Sequence, residues 1–372
     1  METRNEDVPV IGSGTIGGYT GYLLAKEGFN VTLYEDHEKI GEPCHCTGII
    51  TKSFLDMVHL KKGLLLNSLS RVKVFGPDGN ATELKTNDIV VDRIGLDEFF
   101  NEIAVKEGAV LKMGHKMVSC NPLQKTVTIQ NQETARMVPY KNLVGADGPN
   151  SKLFPLLNPS IQREPWIGAQ AVIKGKFDKG MYETYLNNDY CKGFFAWVVP
   201  ESEESAIAGL AARERPSFQF ERFMKKRFGE KFRGRVMSYR GGLIPMHYPK
   251  ARCEKDGMFL VGDAGGHVKA TTGGGIIPGM KAAQALAKSL TTGKSYDKLW
   301  RKATGLNLWA HLKIRETLDK FSDNDYNYLI GLMNKERPAN VMAHSDREYP
   351  GAFALKMLLA EPRMLYFLKH LF

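Results

Sequence analysis

Six residues near the N-terminus, Gly12-Ser13-Gly14-Thr15-Ile16-Gly17, have the types and spacing to hold a phosphate against backbone. In the pattern G-x-G-x-x-G the first glycine permits a sharp turn out of a strand. The second lets a pyrophosphate approach the main chain, and the third lets the next helix pack closely on that strand. A helix starting there offers unpaired N–H groups and a partial positive charge to an anion. Glu35 ends the next apolar run, at the spacing where a carboxylate accepts hydrogen bonds from ribose hydroxyls. An acid at that place suits FAD or NAD and disfavours a 2′-phosphate.

The elements that must position these residues can be read around them. Val8-Pro9-Val10-Ile11 is expected as a buried parallel strand, with Pro9 among its first residues because it cannot donate to a ladder. A helix then runs to Lys26-Glu27, and Val31–Glu35 forms the second strand. Alternating segments flank the turn Gly76-Pro77-Asp78-Gly79, and Leu96–Glu107 reads as a helix. Leu143–Gly148 looks like a strand ending in a tight loop. Residues 165–250 are strand-rich, interrupted by a helix over Phe218–Phe228. Met258–Val261 is another buried strand, and Gly273-Gly274-Gly275 opens a helix to about Leu290, with Pro278 in its first turn. From Ser295 onward the chain reads as mostly helical.

Three further motifs carry a resemblance. Gly262-Asp263-Ala264 after an apolar strand resembles the second FAD signature of the flavoprotein class that includes the aromatic hydroxylases. Gly145-Ala146-Asp147-Gly148, followed by Ser151, resembles that class's middle motif, and Arg93 resembles the arginine that opens a helix and reaches towards the cofactor. The narrower resemblance is to the geranylgeranyl reductases, especially the archaeal digeranylgeranylglycerophospholipid reductases. It rests on Gly41-Glu42-Pro43 through Cys46-Thr47-Gly48, on Gly193–Pro200, on Gly241–Pro245, and on Gly262-Asp263 through Gly273-Gly274-Gly275-Ile276.

The resemblance implies an α/β fold: a Rossmann-type FAD-binding domain, a strand-rich α+β substrate domain and a helical C-terminal region. The expected division assigns 1–56, 90–160 and 250–294 to the FAD domain, 57–89 and 161–249 to the substrate sheet, and 295–372 to the C-terminal region. FAD contacts are implied at Gly12, Gly14, Ile16, Gly17, Glu35, Cys46, Thr47, Arg93, Val118, Asp263, Gly274, Gly275 and Ile276. Phe195 and Trp197 fall where the family has a Tyr-x-Trp pair in its prenyl-binding cavity. The implied activity is saturation of C=C bonds in geranylgeranyl chains of archaeal-type lipid precursors by hydride from reduced flavin. The alternative is an FAD-dependent monooxygenase of the aromatic-hydroxylase type. Cys46 is expected beside the flavin, as proton donor or redox partner, or as a small residue packing on the ring. His267, close to Asp263 in a glycine-rich loop, is read as structural or surface in preference to approaching the cofactor.

Composition bounds the partners. Lysine and arginine number 51 against 41 acidic residues, a formal net charge of +10, which favours anionic partners. There is no basic run of five or more residues and no nucleic-acid motif, so no nucleic acid is expected. Five cysteines and nine histidines show no metal-binding spacing, and no metal is expected. The polar N-terminus and the absence of a long apolar run point to a cytoplasmic protein whose membrane contact is peripheral. The C-terminal stretch mixes apolar Phe353, Leu355, Leu358, Leu359, Leu365, Phe367 and Phe372 with Lys356, Arg363 and Lys369. It reads as helical packing or as a lipid-facing surface. The electron donor is left between NADPH and a ferredoxin-like protein.

Overall fold

The computed structural model describes residues 4–370, so Phe372 lies outside the described residues. The chain forms two compact units, each assembled from three separated segments: 1–44, 93–164 and 245–309 in the first, 45–92, 165–244 and 310–372 in the second.

The first unit is built on a six-stranded sheet. At its centre Arg4–Ile11 runs parallel to Phe29–Tyr34 on one side and to Leu143–Gly145 on the other. Met258–Leu260 continues the parallel set beyond Leu143–Gly145. The central residues of these strands are apolar because both faces are covered there, and Val8, Val10, Leu33, Leu143, Val144 and Leu260 are fully buried. Pro9 sits well inside the first strand, opposite Thr32, rather than at its start. There the ladder is one-sided, since Leu143–Gly145 pairs only with Val10 and Ile11, which tolerates a residue without an N–H. Helices Thr15–Lys26, Arg93–Lys106 and Ile276–Thr292 belong to this unit. So does an antiparallel sheet of Lys116–Asn121, Thr126–Gln130 and Ala135–Pro139.

The second unit is built on an eight-stranded sheet, and strand alternation gives it two distinct faces. On one face Ala171, Ile173, Ala196, Val198, Ala208 and Leu210 pack against Phe220, Phe223 and Met224 of helix Pro216–Phe228. On the other, Val72, Leu84, Tyr182, Val199 and Trp197 pack with Met333, Ala339 and Met342 from the C-terminal helices.

The expected division is shifted at its edges, with 90–92 in the second unit and 161–164 and 245–249 in the first, and three longer segments fall elsewhere for local reasons. Ile49–Thr51 pairs with Ala81–Val91, which draws 45–56 into the second unit. Tyr296, Trp300 and Leu308 enter the core of the first unit, so 295–309 belongs there. Residues 310–370 form no separate region but pack on the second unit's sheet. Part of their anchor is Arg347, whose guanidinium bonds both oxygens of Asp88, Thr86 Oγ1 (2.9 Å) and Tyr182 Oη (3.1 Å). Among the described residues no helix is long and apolar enough to cross a membrane.

Candidate dinucleotide and substrate sites

The fold requires two of the three glycines of the first loop, Gly12 and Gly17, and leaves the third free. Gly12 has φ +92°, and a Cβ there would lie 2.4 Å from the Ala146 carbonyl oxygen. A Cβ on Gly17 would lie 2.0 Å from the Gly12 carbonyl oxygen. Gly14 has ordinary extended backbone, φ −67° and ψ −172°, and its nearest atom would be Asp97 Oδ2 at 3.8 Å. Nothing in the folded chain demands glycine there, which leaves the space a phosphate group would use. Helix Thr15–Lys26 follows with no side-chain cap at Gly14, so its first N–H groups are not taken by a side chain.

Glu35 is buried and already engaged on both oxygens. The Ser13 N–H donates to Oε2 at 2.8 Å, while the His37 N–H (3.2 Å) and Nδ1 (2.6 Å) meet Oε1. Both lone pairs of Oε1 are thus engaged, while Oε2 retains one for a ribose hydroxyl. Glu35, Asp36 and His37 also place donor atoms within 4.8 Å of one another, but the His37 Nδ1–Glu35 Oε1 hydrogen bond accounts for that closeness.

Arg93 opens helix Arg93–Lys106 and shares one face of it with Asp97 and Asn101, spaced four residues apart. Its guanidinium donates to Thr15 Oγ1 (2.5 Å) and Asp97 Oδ1 (3.0 Å), and the Thr15 hydroxyl donates to Asp97. Asn101 Nδ2 donates to the Ser13 carbonyl at 2.7 Å. This stripe clamps the glycine loop from the side. The sequence singled out Arg93 but not Asp97 or Asn101, although the polar i, i+4, i+8 spacing was there to be read.

The second FAD signature packs against the first through Ile16. A Cβ on Gly262 would lie 3.1 Å from the Ile16 side chain, and one on Gly279 would lie 2.9 Å from it. Asp263 sits in the short helical turn Gly262–Gly265, and a Cβ on Gly275 would come within 2.6 Å of its Oδ1. Gly275 precedes helix Ile276–Thr292 and, like Gly14, supplies no side-chain cap. Gly274 bridges to Lys269 just before it. Dense surroundings push the Asp263 carboxyl above its usual range, opposed by Arg163 and Arg93, although part of its surface stays accessible. Arg163 donates to the Asp263 carbonyl at 2.5 Å and lies over the Phe154 ring. No motif surrounds Arg163 in the sequence, and nothing there marked it.

Burial likewise raises Asp147 of the middle motif, which accepts the Lys152 N–H at 2.8 Å. Val118 lies on the antiparallel sheet, part-exposed, at the register irregularity between Met117 and Ser119. His267 is fully buried, with Nε2 3.7 Å from Cys253 Sγ and its ring 4.6 Å from Trp300. Of its two expected roles, the structural one describes its place.

The remaining expected residues lie in the second unit. All five cysteines are thiols, and Cys46 Sγ accepts the Gly48 N–H at 3.4 Å. Thr47 Oγ1 donates to Gln170 Oε1 (3.0 Å), and Gln170 Nε2 donates to the His45 carbonyl (2.9 Å). Gln170 thus ties the Cys46 loop to the sheet. Its neighbour across the ladder is Gly209, whose Cβ would lie 2.6 Å from Gln170 Cβ and 2.7 Å from the Trp197 ring. Trp197 covers Gly209, and Phe195 meets it edge-on at 5.8 Å. Glycines 168, 209 and 242 share one face of neighbouring strands, where Trp197 packs on Gly209 and His45 on Gly242. Gln170 was missed because a polar residue on an alternating strand reads as solvent-facing.

A sequence model of NAD(P)-binding Rossmann-like domains matches residues 10–53, which defines the class to which the first loop belongs. The chain is also similar over nearly its whole length to a protein named digeranylgeranylglycerophospholipid reductase from Methanothrix thermoacetophila. The two are 26% identical, covering 98% of this chain and 99% of that protein. Among solved structures, a geranylgeranyl bacteriochlorophyll reductase-like protein from Thermoplasma acidophilum shares the fold, with a TM-score of 0.81, 20% identity and full coverage of both chains. A flavin-dependent brominase shares it at a TM-score of 0.72 and 16% identity, covering 97% of this chain and all of that one. The α/β reading and the resemblance drawn from the four sequence stretches agree with these relatives.

Proposed function

We propose that this chain is an FAD-dependent reductase that saturates C=C bonds of geranylgeranyl chains, its substrate being a precursor of archaeal-type membrane lipids. The observation that carries this reading is similarity to a named digeranylgeranylglycerophospholipid reductase from one end of both chains to the other. The first unit suits FAD. Gly14 leaves open space beside an uncapped helix start, and Asp263 stands at the uncapped start of a second helix, packed to the first through Ile16.

When bound, reduced FAD supplies hydride. The residues of the chain do the rest. The Thr15–Lys26 helix start and the Arg93 stripe hold the pyrophosphate, and Glu35 the ribose. The N-terminus of Ile276–Thr292 stabilises negative charge next to Asp263. In the second unit Trp197 and Phe195 line an apolar surface for the prenyl chain. A proton added to the less substituted alkene carbon leaves positive charge on the more substituted one, which an aromatic face stabilises by roughly 1–2 kcal/mol when desolvated. That carbon then takes the hydride, and we assign delivery of the proton to Cys46. Electrons come from NADPH or an acidic protein carrier, and contact with the membrane is peripheral.

The test is a single turnover. The FAD-loaded protein is reduced without oxygen and mixed with a geranylgeranyl lipid. Flavin reoxidation together with a gain of H2 per lost double bond supports the reading. No alkene loss, with oxygen-dependent hydroxylation of an aromatic compound instead, overturns it.

A further inference from the structure

The end of the chain carries an unusual surface. Helix Pro350–Ala360 and the 3-10 stretch Pro362–His370 bury Met357, Met364 and Phe367 in a cluster with Phe321, Tyr326 and Leu332. Leu355 and Leu359 flank Met357 by two residues, about 200° around a helix, and so point the other way. They are 60% and 73% exposed. Leu365, Tyr366 and Leu368 are exposed between and beside the two buried anchors of the 3-10 stretch. Exposed large apolar residues are ordinary when scattered singly, but five in fourteen residues call for a partner.

The charges around them select it. Lys356 stands between Leu355 and Leu359, and Arg363 and Lys369 follow, the latter with its ammonium 3.6 Å from the Tyr366 ring centroid. The single acidic residue from 350 to 370 is Glu361. It is buried and held by Arg363 (2.7 Å) and Lys335 (3.1 Å). The outward side is therefore apolar and basic with no exposed carboxylate. A second copy of the same surface would meet it with like charge, whereas an anionic lipid surface complements both features.

We propose that the outward side of residues 350–370 docks on an anionic phospholipid bilayer. Leu355, Leu359, Leu365 and Leu368 enter the headgroup boundary, and Lys356 meets the headgroups, whereas Lys369 is paired with buried Asp325 at 3.2 Å. The proposal deepens the lipid-reductase reading and rests on it for its purpose. It places the docking segment among the C-terminal helices, which cover the same sheet face as Trp197.

The experiment is flotation of the full-length FAD-loaded protein with vesicles. One set holds equal parts phosphatidylglycerol and phosphatidylcholine, the other phosphatidylcholine alone. Wild type floats with the anionic vesicles, and added salt weakens it. L355E/L359E lowers that partitioning by about tenfold or more, while flavin absorbance is unchanged. Lys356→Glu keeps every buried contact and weakens binding to anionic vesicles but not to neutral ones. Failure of wild type to float overturns the proposal. So does wild-type flotation by L355E/L359E, or a dimer in sedimentation that this variant dissolves without any vesicle binding. Reduction of a detergent-dispersed prenyl substrate is followed separately. Flotation with the expected losses upholds docking even if no prenyl lipid is reduced, and unaltered flotation of the variant overturns docking even if reduction succeeds.

Discussion

Replacing Gly14 and Gly17 separately by alanine separates what the fold needs from what the ligand needs. At Gly17 the new Cβ starts 2.0 Å from the Gly12 carbonyl oxygen, against 3.4 Å for ordinary contact. The obstacle is backbone in a tight turn at Gly12, so it cannot swing aside as a side chain would. Overpacking of this kind costs about 1–3 kcal/mol or more, and the roughly 1 kcal/mol that alanine gains over glycine in a helix offsets only part of it. At Gly14 the backbone is already extended and the nearest atom is 3.8 Å away. Alanine there leaves the folded apoprotein unstrained, and it restricts the unfolded chain, worth about 0.4–1 kcal/mol in favour of folding. The methyl group, however, occupies the space assigned to the pyrophosphate. We expect FAD affinity to fall by about 10- to 100-fold, or roughly 1.4–2.7 kcal/mol. The assay is denaturant unfolding of each apoprotein followed by FAD titration with flavin fluorescence. Gly17→Ala lowers stability; Gly14→Ala keeps stability and loses FAD. Wild-type FAD affinity in a stable Gly14→Ala protein refutes the placement of the phosphate site.

Three further outcomes are expected. Arg347→Met leaves Asp88, which is 2% exposed, without its guanidinium; because Arg347 itself is partly exposed, the cost is about 2–4 kcal/mol, and an unfolding free energy unchanged in urea denies the anchor. Burial lowers the His267 pKa to about 3 and that of His247 to about 4. Both therefore stay neutral in the fold while the unfolded chain takes up protons below about pH 6.5. Stability is then full above that pH and is lost as pH falls towards 4, by about 1.4 kcal/mol per pH unit for each histidine. His267→Leu should halve the slope, and a flat profile from pH 7 to 4 in wild type refutes the reading. Trp197→Ala should raise KM for a prenyl substrate and slow its reduction while FAD affinity holds, since Trp197 lies in the unit that lacks the glycine loop; equal loss of FAD binding counts against its substrate role.

The glycine loop, the strands around it and the second glycine helix start could be read from the sequence because their causes are local. A tight turn, a close approach and an uncapped helix start each need particular residues within a few positions, and a buried parallel strand needs an apolar run. The pairing of Ile16 with Gly262 and Gly279 could not be read, since their separation along the chain hides it. The same holds for Gln170 with Thr47, 123 residues apart, for Arg163 with Asp263, and for Arg347 with Asp88, 259 residues apart. Each is a polar group whose burial becomes affordable only once tertiary packing supplies its partner. The C-terminal helices show the same limit. Their apolar residues announced helices, but only packing decided that Met357, Met364 and Phe367 turn inward and that Leu355 and Leu359 face out.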